Sequence, residues 1–118
     1  MATKDVLGRR GEEIAAQHLT AQGLTIIERN WRCARGEIDL VARDGDVLVI
    51  VEVKTRSGLG FGHPLEAITT GKLARLRQLA ASWCEAHPGH WRSIRIDAVA
   101  VIAPREGRVT VEHLEGVF

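Results

Sequence analysis

Asp44 and Gly45 separate two runs of mostly apolar residues, and this dipeptide constrains the fold more than any other feature of the sequence. The first run is Gly36 to Arg43 (GEIDLVAR), and the second is Asp46 to Thr55 (DVLVIVEVKT). Asp-Gly between two such runs is a strong short-range signal for a two-residue hairpin turn. The sequence therefore predicts two adjacent antiparallel strands with a turn at residues 44 and 45.

The register of this hairpin predicts which side chains share a face of the sheet. With the turn at residues 44 and 45, Asp39 lies opposite Ile50, and Glu37 lies opposite Glu52. Directly opposed residues share a face, and so do residues two apart on one strand. The charged residues predicted on one face are Glu37, Asp39, Glu52 and Lys54. The carboxylates of Asp39 and Glu52 are then diagonal neighbours, about 5–8 Å apart.

Glu52 and Lys54 interrupt an otherwise apolar strand, VLVIVEVK. A buried carboxylate is costly unless it is paired, hydrogen-bonded or bound to a metal, and facing carboxylates raise each other's pKa. Mg²⁺ removes this repulsion and prefers carboxylate, carbonyl and water oxygens. The pattern predicts a divalent-metal site, with Lys54 placed to hold a phosphate or to orient an attacking water. The alternative is a Glu52–Lys54 ion pair with Asp39 in solvent, because hairpins with one charged face are common.

The remaining segments predict an α/β domain. Besides the hairpin strands, they are a helix over about Lys4 to Gln22, capped by Thr3 and ended by Gly23; a strand over Leu24 to Trp31; a helix over Gly71 to Ala86, capped by Thr70; a strand over Ser93 to Ala103; and an edge strand over Gly107 to Leu114. The order α-β-β-β-α-β-β predicts a central mixed β-sheet flanked by helices. The length of 118 residues suits one domain over residues 1–118.

The first helix carries two adjacent glutamates that point in different directions. On a helical wheel, Glu12 lies at the rim of the apolar face, while Glu13 points to solvent. We therefore expect Glu12, and not Glu13, to face the carboxylates of the hairpin.

Composition bears on the cellular setting. The longest apolar run, Ala98 to Ala103, is far shorter than the roughly 20 residues of a membrane-spanning helix. The N-terminal sequence lacks the apolar core of a signal peptide. The two cysteines fit free thiols in a reducing compartment. We expect a cytoplasmic protein without a membrane partner.

The net charge of +1 does not by itself indicate a nucleic-acid partner, but several basic residues lie close to the predicted site in the sequence. We expect phosphate contacts from Arg32, Arg35, Arg56, Lys72 and Arg75. The alternative is that these side chains form ordinary solvated surface, as the exposed face of the second helix would.

The charged positions also resemble a known signature. Asp39, twelve intervening residues and then Glu52-Val53-Lys54 resemble the PD-(D/E)xK nuclease motif. From roughly Gly8 to Val101, the chain resembles the YraN-like family of small bacterial proteins. The segments that carry this wider resemblance are Gly8-x-x-Gly11-Glu12, Gly36-Glu37-Ile38-Asp39-Leu40, Val51-Glu52-Val53-Lys54-x-Arg56 and Phe61-Gly62-x-Pro64-x-Glu66-Ala67-Ile68. The helix-borne Glu, the Asp and the Glu-x-Lys are also similar to those of archaeal Holliday junction resolvases.

This resemblance implies a restriction-endonuclease-like fold and a Mg²⁺-dependent endonuclease, with Mn²⁺ as a substitute cation, that hydrolyses phosphodiester bonds in DNA, including branched or junction DNA. The family pattern carries over to Glu12, Asp39, Glu52 and Lys54. Asp39, Glu52 and the Val53 carbonyl would hold the metal, and Glu12 would reach it directly or through water. By analogy with junction-cutting relatives, we expect a homodimer. The alternative is a catalytically inactive nucleic-acid-binding module that works through a partner, because the fold includes members without catalysis.

Overall fold

The computed structural model describes residues 3–58, 60 and 62–117, and of residues 3–5 it describes only the backbone. The elements are α1 (Thr3–Ala21), β1 (Thr25–Cys33), β2 (Gly36–Asp44), β3 (Val47–Arg56), a short 3₁₀ helix (Pro64–Ala67), α2 (Thr70–Ala86), β4 (Ser93–Ile102) and β5 (Thr110–Leu114). The predicted α/β order is confirmed, and the 3₁₀ helix was not predicted. Phe61 of the family pattern and the side chain of Thr3, the predicted cap, lie outside the described residues.

The five strands form one mixed sheet in the order β1-β2-β3-β4-β5. Neighbouring strands are antiparallel except for β3 and β4, which are parallel. A parallel pair needs a long crossover connection, and α2 lies within it. The prediction that β5 is an edge strand is confirmed, although β5 begins at Thr110 rather than Gly107.

The core lies in two layers, one on each face of the sheet. On one face, α1 packs Ala15, Ala16 and Leu19 against the odd-numbered residues of β3. On the other, α2 packs Leu76, Leu79 and Trp83 against Leu48 and Ile50. Because both faces of β3 are covered, its sequence is a nearly continuous apolar run rather than an alternating one. No helix within the described ranges is both long and apolar enough to cross a bilayer.

The C-terminus of α1 and the N-terminus of α2 each carry a capping residue. Gly23 ends α1 with φ +99°, as predicted. Its N–H donates to the Thr20 carbonyl at 3.0 Å and the Leu24 N–H donates to the Leu19 carbonyl at 3.1 Å, which is the Schellman arrangement. The predicted cap of α2 is wrong by one residue. Thr69, not Thr70, caps that helix, because its hydroxyl accepts from the Lys72 N–H at 3.2 Å.

The register of the β2–β3 hairpin differs from the prediction by two residues. Asp44 pairs with Val47, so the turn is Gly45–Asp46 and not Asp44–Gly45. Gly45 takes φ +62° at the first turn position, which the favoured hairpin turns require and glycine adopts without steric cost. A shift by two does not by itself move a side chain to the other face, but it changes which residues are opposed. The prediction that Glu37 and Asp39 share a face is wrong, because Ile38 and Leu40, two residues apart on β2, pack on opposite faces of the sheet.

Asp97, on β4, is the one completely buried charged residue in the described part of the chain. Its carboxylate accepts hydrogen bonds from Arg95 Nε at 3.0 Å and from the Gly116 N–H at 3.0 Å, and it contacts His113 Nε2 at 2.7 Å. His113 Nδ1 in turn lies 2.9 Å from Gln22 Oε1. This network connects β4 to β5, to Gly116 after β5 and to Gln22, which directly follows α1.

Candidate metal centre

The candidate metal centre lies where the backbone pairing between β2 and β3 ends. Their paired residues run from Asp44 and Val47 to Leu40 and Val51. Continued by one residue, this register puts Asp39 directly opposite Glu52, whereas the sequence predicted diagonal neighbours. The strands do not continue their backbone pairing there. The Val53 N–H donates instead to Asp39 Oδ2 at 2.8 Å.

The strand β2 is irregular at Asp39. Ile38 packs in the layer under α2, whereas Leu40, two residues later, packs in the layer under α1. Residues two apart on a regular strand share a face, so the strand rotates locally between them. Asp39 lies at the point of rotation, and its side chain reaches in the plane of the sheet to the β3 backbone.

Asp39 and Glu52 form a hydrogen-bonded carboxyl pair. Burial, the hydrogen bond to Glu52 and the Glu52 charge raise the pKa of Asp39 to about 8, while the Val53 N–H lowers it and the Glu37 charge adds a further small rise. In the absence of a cation, Asp39 therefore retains a proton at neutral pH, because two facing carboxylates are costly in a desolvated place.

Glu12 approaches this pair from α1. Gly11 is buried against β3, and a Cβ built on it would overlap the hydroxyl of Thr55 and lie 2.7 Å from its Cβ. Only glycine therefore allows this close contact between helix and strand. Burial and then the charge of Asp39 raise the pKa of Glu12, and a hydrogen bond from Asn30 lowers it.

Glu13 points elsewhere. It forms an exposed ion pair with Arg29 and accepts a hydrogen bond from Gln17 at 3.2 Å. The structure thus places Glu12 within electrostatic reach of Asp39 and turns Glu13 toward Arg29, which is the arrangement that the helical wheel predicts.

Two further groups on β3 lie beside the carboxyl pair. Lys54 follows Glu52 by two residues on the same face and is half-buried. The N–H of Val53 points toward β2, and the N–H and C=O of one strand residue point to the same side. The Val53 carbonyl therefore points to the β2 side of the strand as well. Glu37 binds Arg32 Nε at 2.6 Å on the exposed surface.

The donor atoms fit a hard divalent cation. Within the described residues, no three side chains of His, Cys, Asp or Glu stand close enough to form a metal-binding group on their own. Mg²⁺ does not need three, because it is commonly held by one or two carboxylates together with water and substrate phosphates. Asp39 and Glu52 supply two carboxylates, and Val53 supplies a carbonyl oxygen.

The chain is similar in sequence to one family of known proteins. A family model described as "Uncharacterised protein family UPF0102" matches residues 11–101, which is most of the chain. The chain belongs to the UPF0102 family. A UPF0102 protein of Beutenbergia cavernae is 60% identical over 99% of both chains, and one of Frankia alni is 55% identical over 100% of this chain and 98% of the relative. A UPF0102 protein of Arthrobacter sp. strain FB24 is 56% identical over 99% of both chains. The resemblance to the YraN-like family is confirmed.

The basic residues of this UPF0102 chain that were predicted to contact phosphate are spread over β1, the β1–β2 turn, β3 and α2. Arg32, on β1, is paired with Glu37 and is largely exposed. Arg35, in the β1–β2 turn, lines a surface groove beside α2. Arg56 ends β3 and donates to the carbonyl of Thr55 at 3.1 Å. The other two, on the exposed side of α2, are Lys72 and Arg75.

Asn30 of the UPF0102 chain was not predicted to belong to the site. It takes φ +52° in the middle of β1, and hydrogen bonding by its side chain lowers the pKa of Glu12. The sequence does carry a signal for it, because asparagine is depleted in strands and tolerates the left-handed conformation. That signal indicates an irregular backbone, however, and not the identity of the residue that the side chain contacts.

Proposed function

We propose that this UPF0102 protein is a metal-dependent nuclease that hydrolyses phosphodiester bonds in DNA, with Mg²⁺ as cofactor and Mn²⁺ as a substitute. The observation that carries the proposal is the carboxyl pair of Asp39 and Glu52, held at the point where two core strands separate. A buried carboxyl group such as Asp39, which faces a second carboxyl group and has a raised pKa, is poorly suited to stability alone. Perturbed pKa values of this kind cluster at functional sites.

The division of roles among the residues follows from their chemistry. Asp39, Glu52 and the Val53 carbonyl would hold the cation, with Glu12 reaching it directly or through water. When bound, Mg²⁺ would polarise the scissile phosphate and lower the pKa of a bound water. Because the ligands must be deprotonated, cation binding is expected to release the proton that Asp39 retains at neutral pH.

Lys54 would act on the phosphate and not on the cation. An ammonium group cannot ligate a cation while protonated, since it has donors and no acceptor. Its place two residues beyond Glu52, on the same face of β3, suits a charge that holds the phosphate, orients water and offsets negative charge in the transition state.

The test is single-turnover cleavage of a panel of linear, flap and four-way-junction DNAs with Mg²⁺ or Mn²⁺. We expect the wild type to cut at least one of them in a metal-dependent way and Asp39→Asn to lose at least about 100-fold in rate. Asparagine keeps the acceptor for the Val53 N–H, so the fold is retained. The matched control is Glu13→Gln, which changes an exposed ion pair and is expected to cut within about twofold of wild type.

Equal cleavage by Asp39→Asn and wild type would contradict the proposal. So would DNA binding without cleavage of any substrate at any metal concentration, and that result would favour the inactive nucleic-acid-binding module.

A further inference from the structure

A surface groove lies between the C-terminal half of α2 and the end of β1 with the turn that follows it. Its volume is about 400 Å³, which is within the range of small-ligand sites in proteins. Its lining includes an aromatic ring and side chains of both charges, which are Trp31, Arg35 and Glu85. None of the proposed metal ligands lines it, so the groove is a feature separate from the carboxyl pair.

The groove lies on the same side of the sheet as one of the paired carboxyl groups. Trp31 and Ile50 both pack in the core layer under α2. Glu52 follows Ile50 by two residues on a regularly paired strand, so its side chain emerges on that side too. Trp31 also pairs with Ile38, the residue before Asp39. Only a short stretch of sheet therefore separates the groove from the carboxyl pair, and one bound DNA strand can reach both.

An aromatic cluster holds the ring of Trp31. Trp31 meets the His87 ring edge to face, with the ring centroids 6.1 Å apart. His87 stacks on Trp83 with centroids 4.1 Å apart, and its ring nitrogens lie 2.8 Å from the Trp83 carbonyl oxygen and 3.2 Å from Glu28 Oε1. The indole N–H of Trp83 donates to the same Glu28 oxygen at 3.0 Å. Trp31 is half-buried, so it presents part of a firmly held ring at the groove.

The two charged residues of the groove are available to a ligand. Within the residues that the structure describes, neither Arg35 nor Glu85 forms an ion pair or a side-chain hydrogen bond. A guanidinium group binds phosphate oxygens, a glutamate accepts a hydrogen bond from the amino group of cytosine, and an aromatic ring stacks on the face of a base. An apolar protein segment in the same groove would instead desolvate both charges without pairing them, which is costly.

We propose that this groove holds an unpaired nucleotide of a DNA strand bound at the carboxyl pair, with the base stacked on Trp31, its amino group on Glu85 and its phosphate on Arg35. This inference deepens the proposed function and rests on it for DNA as the ligand. Bases inside a duplex are stacked and paired, so their faces are closed to an aromatic side chain. The groove therefore selects DNA with unpaired nucleotides, such as a single-stranded flap. Because thymine lacks an amino group, the groove also favours cytosine over thymine.

The test is fluorescence anisotropy with labelled oligo(dC) and oligo(dT) of about 12 nucleotides, in EDTA and at neutral pH so that no strand is cut. We expect wild type to bind oligo(dC) more tightly than oligo(dT), and Glu85→Ala to remove this preference without weakening oligo(dT) binding. Trp31→Ala should weaken oligo(dC) binding by at least about 5-fold, whereas Trp31→Phe, which keeps a ring, should stay within about twofold of wild type. Arg35→Gln should weaken both strands alike and reduce the salt dependence of binding.

Two controls separate the groove from damage to the fold and from general loss of charge. Arg35→Gln and Glu85→Ala change exposed side chains, so they test the groove even if Trp31→Ala is poorly folded. Arg92→Gln removes one exposed positive charge near the β2–β3 turn, away from the groove, and should bind within about twofold of wild type. Unlabelled oligo(dC) should also quench tryptophan fluorescence in wild type and not in Trp31→Phe, because the stacked ring is Trp31.

Several outcomes would overturn the role of the groove. They are wild-type affinity of Trp31→Ala or Arg35→Gln for oligo(dC), equal affinity of wild type for oligo(dC) and oligo(dT), and no binding of either strand by wild type. A dimer of this chain that Trp31→Ala abolishes, with DNA binding unchanged, would assign the groove to a second copy instead.

The proposed nuclease has a separate outcome. If cleavage requires Asp39 while the groove variants bind oligo(dC) like wild type, the nuclease stands and the role of the groove is wrong. If binding depends on Trp31 and Arg35 while no DNA is cut under any condition, the groove stands and the nuclease is wrong.

Discussion

Replacing Asp39 with asparagine is expected to stabilise the metal-free protein at alkaline pH. The new side chain has the same size, and its carbonyl oxygen can accept the Val53 N–H that Asp39 accepts at 2.8 Å. Its amide can donate to Glu52, where the wild type has a second carboxyl group. The substitution therefore removes a disfavoured charge without leaving a polar group unpaired.

The magnitude follows from the pKa of Asp39, which lies at about 8 in the folded protein against an ordinary value of 3.8. Because the folded state binds this proton more tightly than the unfolded state, stability falls as pH rises from about 4 to about 8. At 1.36 kcal/mol for each pKa unit, the largest effect above pH 8 is about 6 kcal/mol. Asp39 is not completely buried, and charges in proteins behave as if in a fairly polar medium. We therefore expect a gain of about 1–3 kcal/mol for Asp39→Asn at pH 9.

Urea unfolding in EDTA at pH 5, 7 and 9, followed by fluorescence of the three tryptophans, measures this gain. The control is Asp46→Asn, because Asp46 forms an exposed pair with Arg92 at 2.9 Å and the loss of such a pair should change stability little. Added Mg²⁺ should stabilise the wild type and not Asp39→Asn. A variant no more stable than wild type at pH 9, or a wild type equally stable at pH 5 and pH 9, would refute the reasoning.

Three further predictions concern other residues. Lys54→Ala should lower the single-turnover cleavage rate on the order of 10²-fold and leave calorimetric Mn²⁺ affinity unchanged or stronger; equal rates would reduce Lys54 to an ion-pair partner. Gly11→Ala should cost about 1–3 kcal/mol in urea unfolding, because the added methyl overlaps Thr55, and Thr55→Ala should recover part of that loss; simple additivity of the two changes would argue against the contact. Asp97→Asn should cost about 3 kcal/mol, since Arg95 and His113 lose the charge that holds them; a melting temperature equal to that of wild type would contradict this.

The hairpin shows how far sequence reasoning reaches. Sequence alone predicts that Glu52 and Lys54 share a face of β3, because successive side chains of a strand point to opposite faces and residues two apart point to the same one. The turn position was wrong by one residue, since Asp44-Gly45 and Gly45-Asp46 both offer the glycine that a tight turn needs. This error leaves the faces of β3 unchanged but alters which residues are opposed, so the direct opposition of Asp39 and Glu52 could be obtained only from the structure. The rotation of β2 at Asp39 has no signal in the sequence either.

Contacts between elements distant in the sequence were harder to predict. The wheel of α1 indicated the direction of Glu12, but nothing in the sequence relates Gly11 to Thr55 or Asn30 to Glu12, because those contacts depend on how α1 lies across the sheet. Asp97 is a similar case. An acid in an apolar strand indicates a buried partner, yet the C-terminal Gly116 that supplies one of them is identified by the fold alone.

The hydrogen bond from the Val53 N–H to Asp39 gives the protein a built-in spectroscopic probe. A backbone amide that would otherwise face a neutral carbonyl here faces a group whose charge changes on titration and on cation binding. Its proton resonance should therefore move with each of those events, without any label or substitution at the site. The amides of Val51 and its neighbours, in regular pairing with β2, supply the reference signals in the same spectrum.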